Sequence, residues 1–276
     1  MQKINSFANE HPIIFGIIAT IVFLLMLIVS AILGNLWPGE EAYGQPGGIL
    51  GRLIAIIILL AVLSRLRWLR PAGFLSSGSW RVWFVSLLSL VYAIPLSTYA
   101  LTGSFVFYIS GRLPSGVVIL FILVAAFLEE VVFRGLILGG FVRDWGKTSR
   151  GVIKSVLISS LFFCSIHLLD FLSGRPLDSV LLQGLEAFFL GVFLAALVIS
   201  GKSIYPATFF HGLLNLSAYM SLVSQGLEPK PASWLWLSLL IFPLALYGLF
   251  FVRDFSQCPT FPHRTHKKRT IGETHE

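Results

Sequence analysis

The chain has 276 residues, of which 56% are hydrophobic and only 12% are charged, and its mean hydropathy is +0.84. Soluble globular proteins carry about 25% charged residues, so this composition excludes an ordinary soluble domain. The net charge of +7 could indicate a nucleic-acid partner. The basic residues lie in short segments between apolar runs, however, where they fix membrane topology. We therefore expect membrane lipids, and no nucleic acid, as partners.

The apolar runs are long enough to cross a bilayer, because about 20 helical residues span its hydrocarbon core. They predict an all-α polytopic membrane protein with about eight transmembrane helices. The first run is too long for the core of a signal peptide, so we interpret it as a retained span. In chain order the predicted spans are residues 13–36, 49–66, 80–100, 116–141, 151–172, 180–200, 203–223 and 233–252.

The basic residues divide unequally between the two sides of these spans. With the amino terminus inside, 15 of the 20 Lys and Arg fall in cytoplasmic segments, and Arg134 lies within a span. Only Arg52, Arg112, Arg175 and Lys230 fall outside. Because positive residues in short loops stay in the cytoplasm, this split predicts that both termini are cytoplasmic. We expect a helical membrane domain over 1–252 and a disordered basic tail over 253–276, in the plasma (inner) membrane.

A few ionisable or strongly polar side chains interrupt the apolar spans. An ionisable group at mid-bilayer costs at least about 2.5–3.5 kcal/mol and usually faces a cavity and a partner. Helix geometry places the groups on the fourth, fifth and seventh spans at similar depths, about 20 Å from the basic helix ends. Interhelical hydrogen bonding would explain a single such residue, but not this agreement in depth. The ionisable or strongly polar residues that interrupt the spans are Glu129, Glu130, Arg134, His167, Glu186, His211 and Asn215.

Their spacing divides the roles on each helix. Glu130 and Arg134 are four residues apart, which predicts an ion pair on one helix face. Glu129 is rotated by about 100° from that face and is the candidate proton-handling carboxylate. His211 and Asn215, also four apart, can donate hydrogen bonds to a common point.

On the fifth span the same spacing places the Phe163 ring beside His167. A base, a histidine and two donors are typical of water-mediated acyl hydrolysis. Cys164, three residues before His167, is an alternative nucleophile, although buried cysteine usually behaves as a small apolar residue. The spacing favours a pocket between the fourth, fifth and seventh spans, near the cytoplasmic half of the bilayer.

Three short motifs carry these residues: "EEVVFR" at 129–134 fits EExxxR, "FCSIH" at 163–167 fits FxxxH, and "HGLLN" at 211–215 fits HxxxN. In this order on successive spans, within a core of about 116–222, they resemble the CPBP family of intramembrane proteases. That family includes the type II CAAX prenyl proteases and the bacterial proteins of bacteriocin processing and self-immunity, also called the abortive-infection family.

The resemblance implies a role for each motif position. Glu129 would be the general base that activates water, His167 would orient or share its proton, and His211 with Asn215 would stabilise the oxyanion. Glu130 and Arg134 would support the site. The family is regarded as glutamate-dependent rather than metal-dependent, so the resemblance implies no cofactor. It also implies a peptide or membrane-protein substrate, and leaves open whether that substrate is lipidated.

Two other interpretations remain open at this point. Two histidines and two glutamates could bind zinc, but no HExxH motif is present and Arg134 would repel a cation. The second alternative is a non-enzymatic membrane protein, either a transporter or an immunity protein. Transporters often show inverted repeats with broken helices at the midplane, and no such repeat is visible in this sequence. We predict an intramembrane endopeptidase.

Overall fold

The structure, a computed structural model, describes residues 2–39, 44–103, 114–223 and 230–253, and these ranges contain helices and no β-strand. The predicted tail therefore lies outside the described residues, apart from Arg253. In chain order the α-helices are α1 Gln2–Glu10, α2 Pro12–Leu36, α3 Pro46–Arg65, α4 Trp80–Thr102, α5 Gly116–Glu130, α6 Gly139–Trp145, α7 Ser149–His167, α8 Leu177–Gly201, α9 Tyr205–Val223 and α10 Pro231–Arg253.

Two irregular segments extend these helices. A π-helix over Val131–Leu138 joins α5 to α6 within one continuous span, and a 3₁₀ segment over Leu168–Ser173 follows α7. The short α1 precedes the first span and is not among the predicted elements. Its mean composition is polar, with Asn5, Asn9 and Glu10 among its nine residues.

The predicted all-α membrane fold is confirmed. Among the described residues, seven helices are long and apolar enough to cross a membrane: α2, α3, α4, α5 with α6, α7 with its 3₁₀ extension, α8, and α10. The remaining predicted span, 203–223, is helical as α9 but is not one of the seven. Its sequence explains the difference, because His211, Asn215 and several hydroxyl residues interrupt its apolar stretch.

α8 lies at the centre of the bundle. In its most apolar stretch 67% of the residues are buried, against 28% in α2, whose large apolar side chains face outward. α8 packs closely against α7 and α10, and also contacts α4 and α9. Small residues allow this approach, as is common between membrane helices. A Cβ added at Gly191 would lie 3.1 Å from Ser160 Cβ, and one added at Gly248 would lie 2.9 Å from Ala196 Cβ.

The connection between α3 and α4 is fixed beneath the start of α9. Gly73 adopts a left-handed conformation with φ 83°, and its carbonyl accepts a hydrogen bond from Ile204 N at 3.3 Å. Tyr205 Oη donates to the Phe74 carbonyl at 2.8 Å, and Ser203 Oγ donates to the Ser76 carbonyl at 2.7 Å. The connection therefore holds the α8–α9 turn, and with it the position of the helix that carries His211.

We predict that Gly248→Ala destabilises the protein although alanine favours helix. The new methyl would overlap Ala196 and push α10 away from α8, at a cost of about 1–3 kcal/mol. Thermal unfolding in detergent micelles measures the effect. Gly116→Ala is the matched control, because nothing lies within 4 Å of a Cβ there. Equal stability of the two variants would contradict the close contact between α8 and α10.

Candidate active site

The two adjacent glutamates lie where α5 changes into the π-helix. All eight residues of the π-helix are buried, and the segment packs against α2, α3 and α7. A π-helix inside an α-helical span is rare and is frequently found at functional sites. The π-helix begins directly after Glu130, and it widens the turn that carries Arg134. Hydrophobic patterning does not reveal this feature.

Glu130 is the centre of a buried polar cluster. Arg134 Nη1 lies 3.0 Å from Glu130 Oε1, and the two side chains are 2% and 0% exposed. The predicted ion pair is therefore confirmed. His211 Nδ1 lies 2.9 Å from the same carboxylate oxygen, and Arg134 Nη2 donates to the Gly191 carbonyl at 3.5 Å. An ionised carboxylate only accepts hydrogen bonds, so this contact suits a His211 tautomer with a proton on Nδ1.

Glu129 lies in a different environment from its neighbour. Its side chain is 20% exposed, and its Oε2 lies 3.7 Å from Nε2 of His211. Nδ1 of His211 is thus in close contact with Glu130, at 2.9 Å, whereas Nε2 faces Glu129 at the longer distance of 3.7 Å. Glu130 is compensated by Arg134, whereas Glu129 is directed into a cavity and has no contact of that quality.

The Phe163 ring organises both histidines. Its centroid lies 5.0 Å from that of His167 and 5.7 Å from that of His211, with both rings nearly perpendicular to it. The Arg134 guanidinium carbon lies 4.4 Å from the same centroid. The expected contact with His167 is therefore present, and Phe163 also orients His211 and Arg134. The helix that carries Phe163 begins at a hydroxyl cap, where Thr148 Oγ1 accepts a hydrogen bond from Gly151 N at 3.0 Å.

A cavity of about 140 Å³ brings the polar residues of several spans together. Phe163, Trp234 and Leu237 contribute apolar walls. The buried Nε2 atom of His167 has no hydrogen-bond partner, so it is available to a water or a substrate. The polar lining residues are Ser97 of α4, Glu129 of α5, His167 of α7, Gln183 and Glu186 of α8, and His211 and Asn215 of α9.

The cavity differs from the predicted pocket in extent and direction. The prediction placed the pocket between three spans, near the cytoplasmic half, but α4, α8 and α10 also line it. Its half-buried lining residues Gln183, Ala218 and Trp234 lie near the helix ends opposite the basic segments. At the other end, Pro71, Ala72 and Arg134 line a void of only about 20 Å³. The cavity therefore extends toward the helix ends opposite the basic segments.

Three other observations bear on the sequence predictions. Cys164 is half-buried and does not line the cavity, so it is not placed as a nucleophile. Arg52, assigned above to an outer loop, lies within α3, with its guanidinium carbon 4.2 Å from the Phe121 ring centroid. Across the described ranges, no three His, Cys, Asp or Glu side chains are grouped closely enough to hold a metal ion.

Sequence reasoning missed several lining residues. Ser97, Gln183 and Trp234 are ordinary in membrane helices, and no single-sequence signal marks them. Gln183 and Glu186 are three apart, so the face that they share on α8 could have been found from their spacing. Glu186 was singled out as a deep carboxylate without a role, and the structure places it in the cavity.

Fold and site together define a polytopic helical membrane protein with a carboxylate- and imidazole-lined cavity among its spans. Residues 111–217, less than half of the chain, match the family model described as "Type II CAAX prenyl endopeptidase Rce1-like". The match confirms the resemblance predicted from the three motifs, all of which lie inside the matched segment. No curated protein and no solved structure gives a match to the chain.

We predict that Phe163→Leu lowers peptidase activity by about 10-fold or more. Leucine keeps the apolar volume but removes the ring contacts to His167, His211 and Arg134, each worth about 0.5–1.5 kcal/mol. Cleavage rate and thermal unfolding are measured together. Phe162→Leu is the matched control, since Phe162 is adjacent but outside the cavity lining and should leave activity within about twofold. Equal losses in both variants would refute the role of the ring.

Proposed function

We propose that the chain is an intramembrane, metal-independent endopeptidase in which Glu129 activates water. The observation that supports this most directly is the asymmetry of the two glutamates. Glu130 is held by Arg134 at 3.0 Å and by His211 at 2.9 Å, whereas Glu129 is directed into the cavity and has only a longer contact, at 3.7 Å, with His211 Nε2. A carboxylate that is left free in a polar cavity can accept a proton from water.

The proposed reaction begins with a water molecule between Glu129 and the scissile carbonyl. Glu129 takes a proton from the water, and the resulting hydroxide oxygen adds to the carbonyl carbon. His167, whose Nε2 has no partner in the described part of the chain, orients this water or shares its proton. The carbonyl oxygen becomes an oxyanion next to Asn215 and His211.

Oxyanion stabilisation by His211 requires a proton on Nε2 as well as on Nδ1. The contacts around the ring support this, because carboxylates face both nitrogens, at 2.9 Å for Glu130 and 3.7 Å for Glu129. An imidazolium in that position would be compensated in charge. Collapse of the intermediate then breaks the C–N bond, and the proton held by Glu129 passes to the leaving amine. The products are a carboxylic acid and an amine, with water consumed.

The extent of the cavity favours a substrate that arrives from the side opposite the basic helix ends. With both termini in the cytoplasm, as the charge distribution predicts, that side is extracytoplasmic. The substrate is then a peptide or a segment of a membrane protein. Comparison of a prenylated CAAX peptide with its unprenylated form tests whether lipidation matters.

The proposal predicts that Glu129→Gln lowers the rate of peptide cleavage by about 10²–10⁴-fold, the contribution typical of a general base. Folding should be retained, because Glu129 makes no close ion pair. His167→Ala should also abolish cleavage. A proteomic comparison of cells that express the wild type or Glu129→Ala identifies the substrates. Full activity of Glu129→Gln would overturn the assignment of the base.

Glu130→Gln is a contrasting variant, because it removes the neighbouring carboxylate. It leaves Arg134 buried without its partner, which costs about 3–5 kcal/mol. We therefore expect a clear loss of thermal stability in Glu130→Gln, whereas Glu129→Gln unfolds at nearly the wild-type temperature. Equal unfolding temperatures for the two variants would contradict the division of roles.

The zinc alternative makes the opposite prediction for chelators. We expect cleavage to be unchanged after dialysis against EDTA, because Arg134 and His211 already occupy one oxygen of Glu130 and the guanidinium disfavours a nearby cation. A zinc metalloprotease treated in the same buffer serves as the control. Loss of activity that zinc restores would establish metal dependence instead.

A further inference from the structure

The cavity contains a second carboxylate that the proposed chemistry does not use. Glu186 lies on α8, where Gln183, Glu186, Ala187 and Leu190 form one continuous face toward the cavity. Their spacing of three, four and seven residues is that of a single helix face. Glu186 therefore points to the same space as Glu129, from a different helix.

Glu186 has no cationic partner among the described residues that line the cavity. Within the part of the chain that the structure describes, it makes no hydrogen bond and no ion pair, and its electrostatic neighbour is His211. Among the described residues that line the cavity there is no Lys or Arg. Glu130, by contrast, has Arg134 at 3.0 Å. An uncompensated carboxylate in a membrane interior is costly, so such groups are usually found where a partner can reach them.

Arg175, which contacts Gln183 on α8, is already engaged. Arg175 Nη1 lies 2.7 Å from Asp170 Oδ2 and 2.8 Å from Gln183 Oε1, so its charge is balanced at the edge of the cavity. Its guanidinium carbon lies 5.8 Å from the Trp234 ring centroid. Trp234 therefore already accepts a cation on its face at this edge.

Trp234 gives this end of the cavity a second feature that suits a cation. The ring lines the cavity together with Gln183, Glu186, Ala187 and Leu190 of α8. A carboxylate beside an aromatic face is a favourable environment for an ammonium or guanidinium group. Gln183 and Trp234 lie near the first turns of α8 and α10, so this region is on the access side of the catalytic residues.

We propose that Glu186, on the same cavity lining as the Trp234 ring, forms a subsite for a basic side chain of the substrate peptide. The inference rests on the proposed function, and it names the substrate class as peptides with a Lys or Arg near the cleaved bond. The basic group supplies the positively charged partner that Glu186 lacks, and its long aliphatic stem passes along the apolar walls. Glu186 is then a specificity-determining residue, and Glu129 remains the base.

The experiment uses the full-length protein in proteoliposomes and a pool of peptides in matched pairs that differ only in one Lys or Gln. For wild type we expect kcat/KM to favour the Lys peptides by about 10-fold or more. Glu186→Gln keeps size and hydrogen-bonding capacity, and it should reduce the preference to within about threefold. Glu186→Lys should favour peptides with Glu at the same position. Asp178→Asn is the matched control, because it removes an exposed acid from the same helix outside the cavity and should retain the preference.

The outcomes separate this inference from the proposed function. A wild type that cleaves without preference, or a Glu186→Gln variant that keeps the preference, would overturn the subsite alone. Binding of the same peptides to Glu129→Gln gives a second measurement that needs no turnover. Charge-dependent binding that Glu186→Gln removes, without cleavage by wild type, would overturn the endopeptidase and keep the subsite. Absence of both cleavage and charge-dependent binding would overturn the subsite as well.

Discussion

The contact of Glu130 with both Arg134 and His211 is the interaction on which the rest of the site depends. It joins the π-helical span to α9, and through Arg134 it also reaches α8 at the Gly191 carbonyl. The pair is costly to bury, because Glu130 Oε2 has no hydrogen-bond partner among the described residues. The contacts of the buried Glu130 carboxylate fix the orientation of the His211 imidazole, and they leave the adjacent Glu129 carboxylate outside the ion pair.

The bundle is built so that this contact can form. Glycines on α8 and α10 bring three helices within van der Waals contact, and the tight packing keeps Gly191 close to Arg134. Phe163 then occupies the space between both imidazoles and the guanidinium. Because the functional side chains come from three helices, α5, α7 and α9, helix packing determines the distances between them. A shift of one helix would change them together.

The sequence predicted the fold class and the convergence of the motif residues, for a physical reason. Lipid excludes ionisable groups so strongly that Glu129, His167 and His211 stand out against an apolar background. The ion pair followed from the spacing of Glu130 and Arg134. The π-helix was not predicted, because its hydrogen bonding depends on tertiary contacts of the buried segment rather than on hydropathy. The participation of Ser97, Gln183 and Trp234 was also missed, because neutral residues carry no comparable signal. The roles of the site residues stay predictions.

The docked connection between α3 and α4 has a consequence for turnover. Phe74 lies near Phe127 at a centroid distance of 6.5 Å, and Pro71, Ala72 and Arg134 line a void of only about 20 Å³ at the basic end, against about 140 Å³ for the cavity. Under the proposed function, reactant and both fragments would then share the wider, opposite end of the cavity. The fragment that is held more tightly will set the pace of each cycle, so accumulated product should compete with fresh reactant.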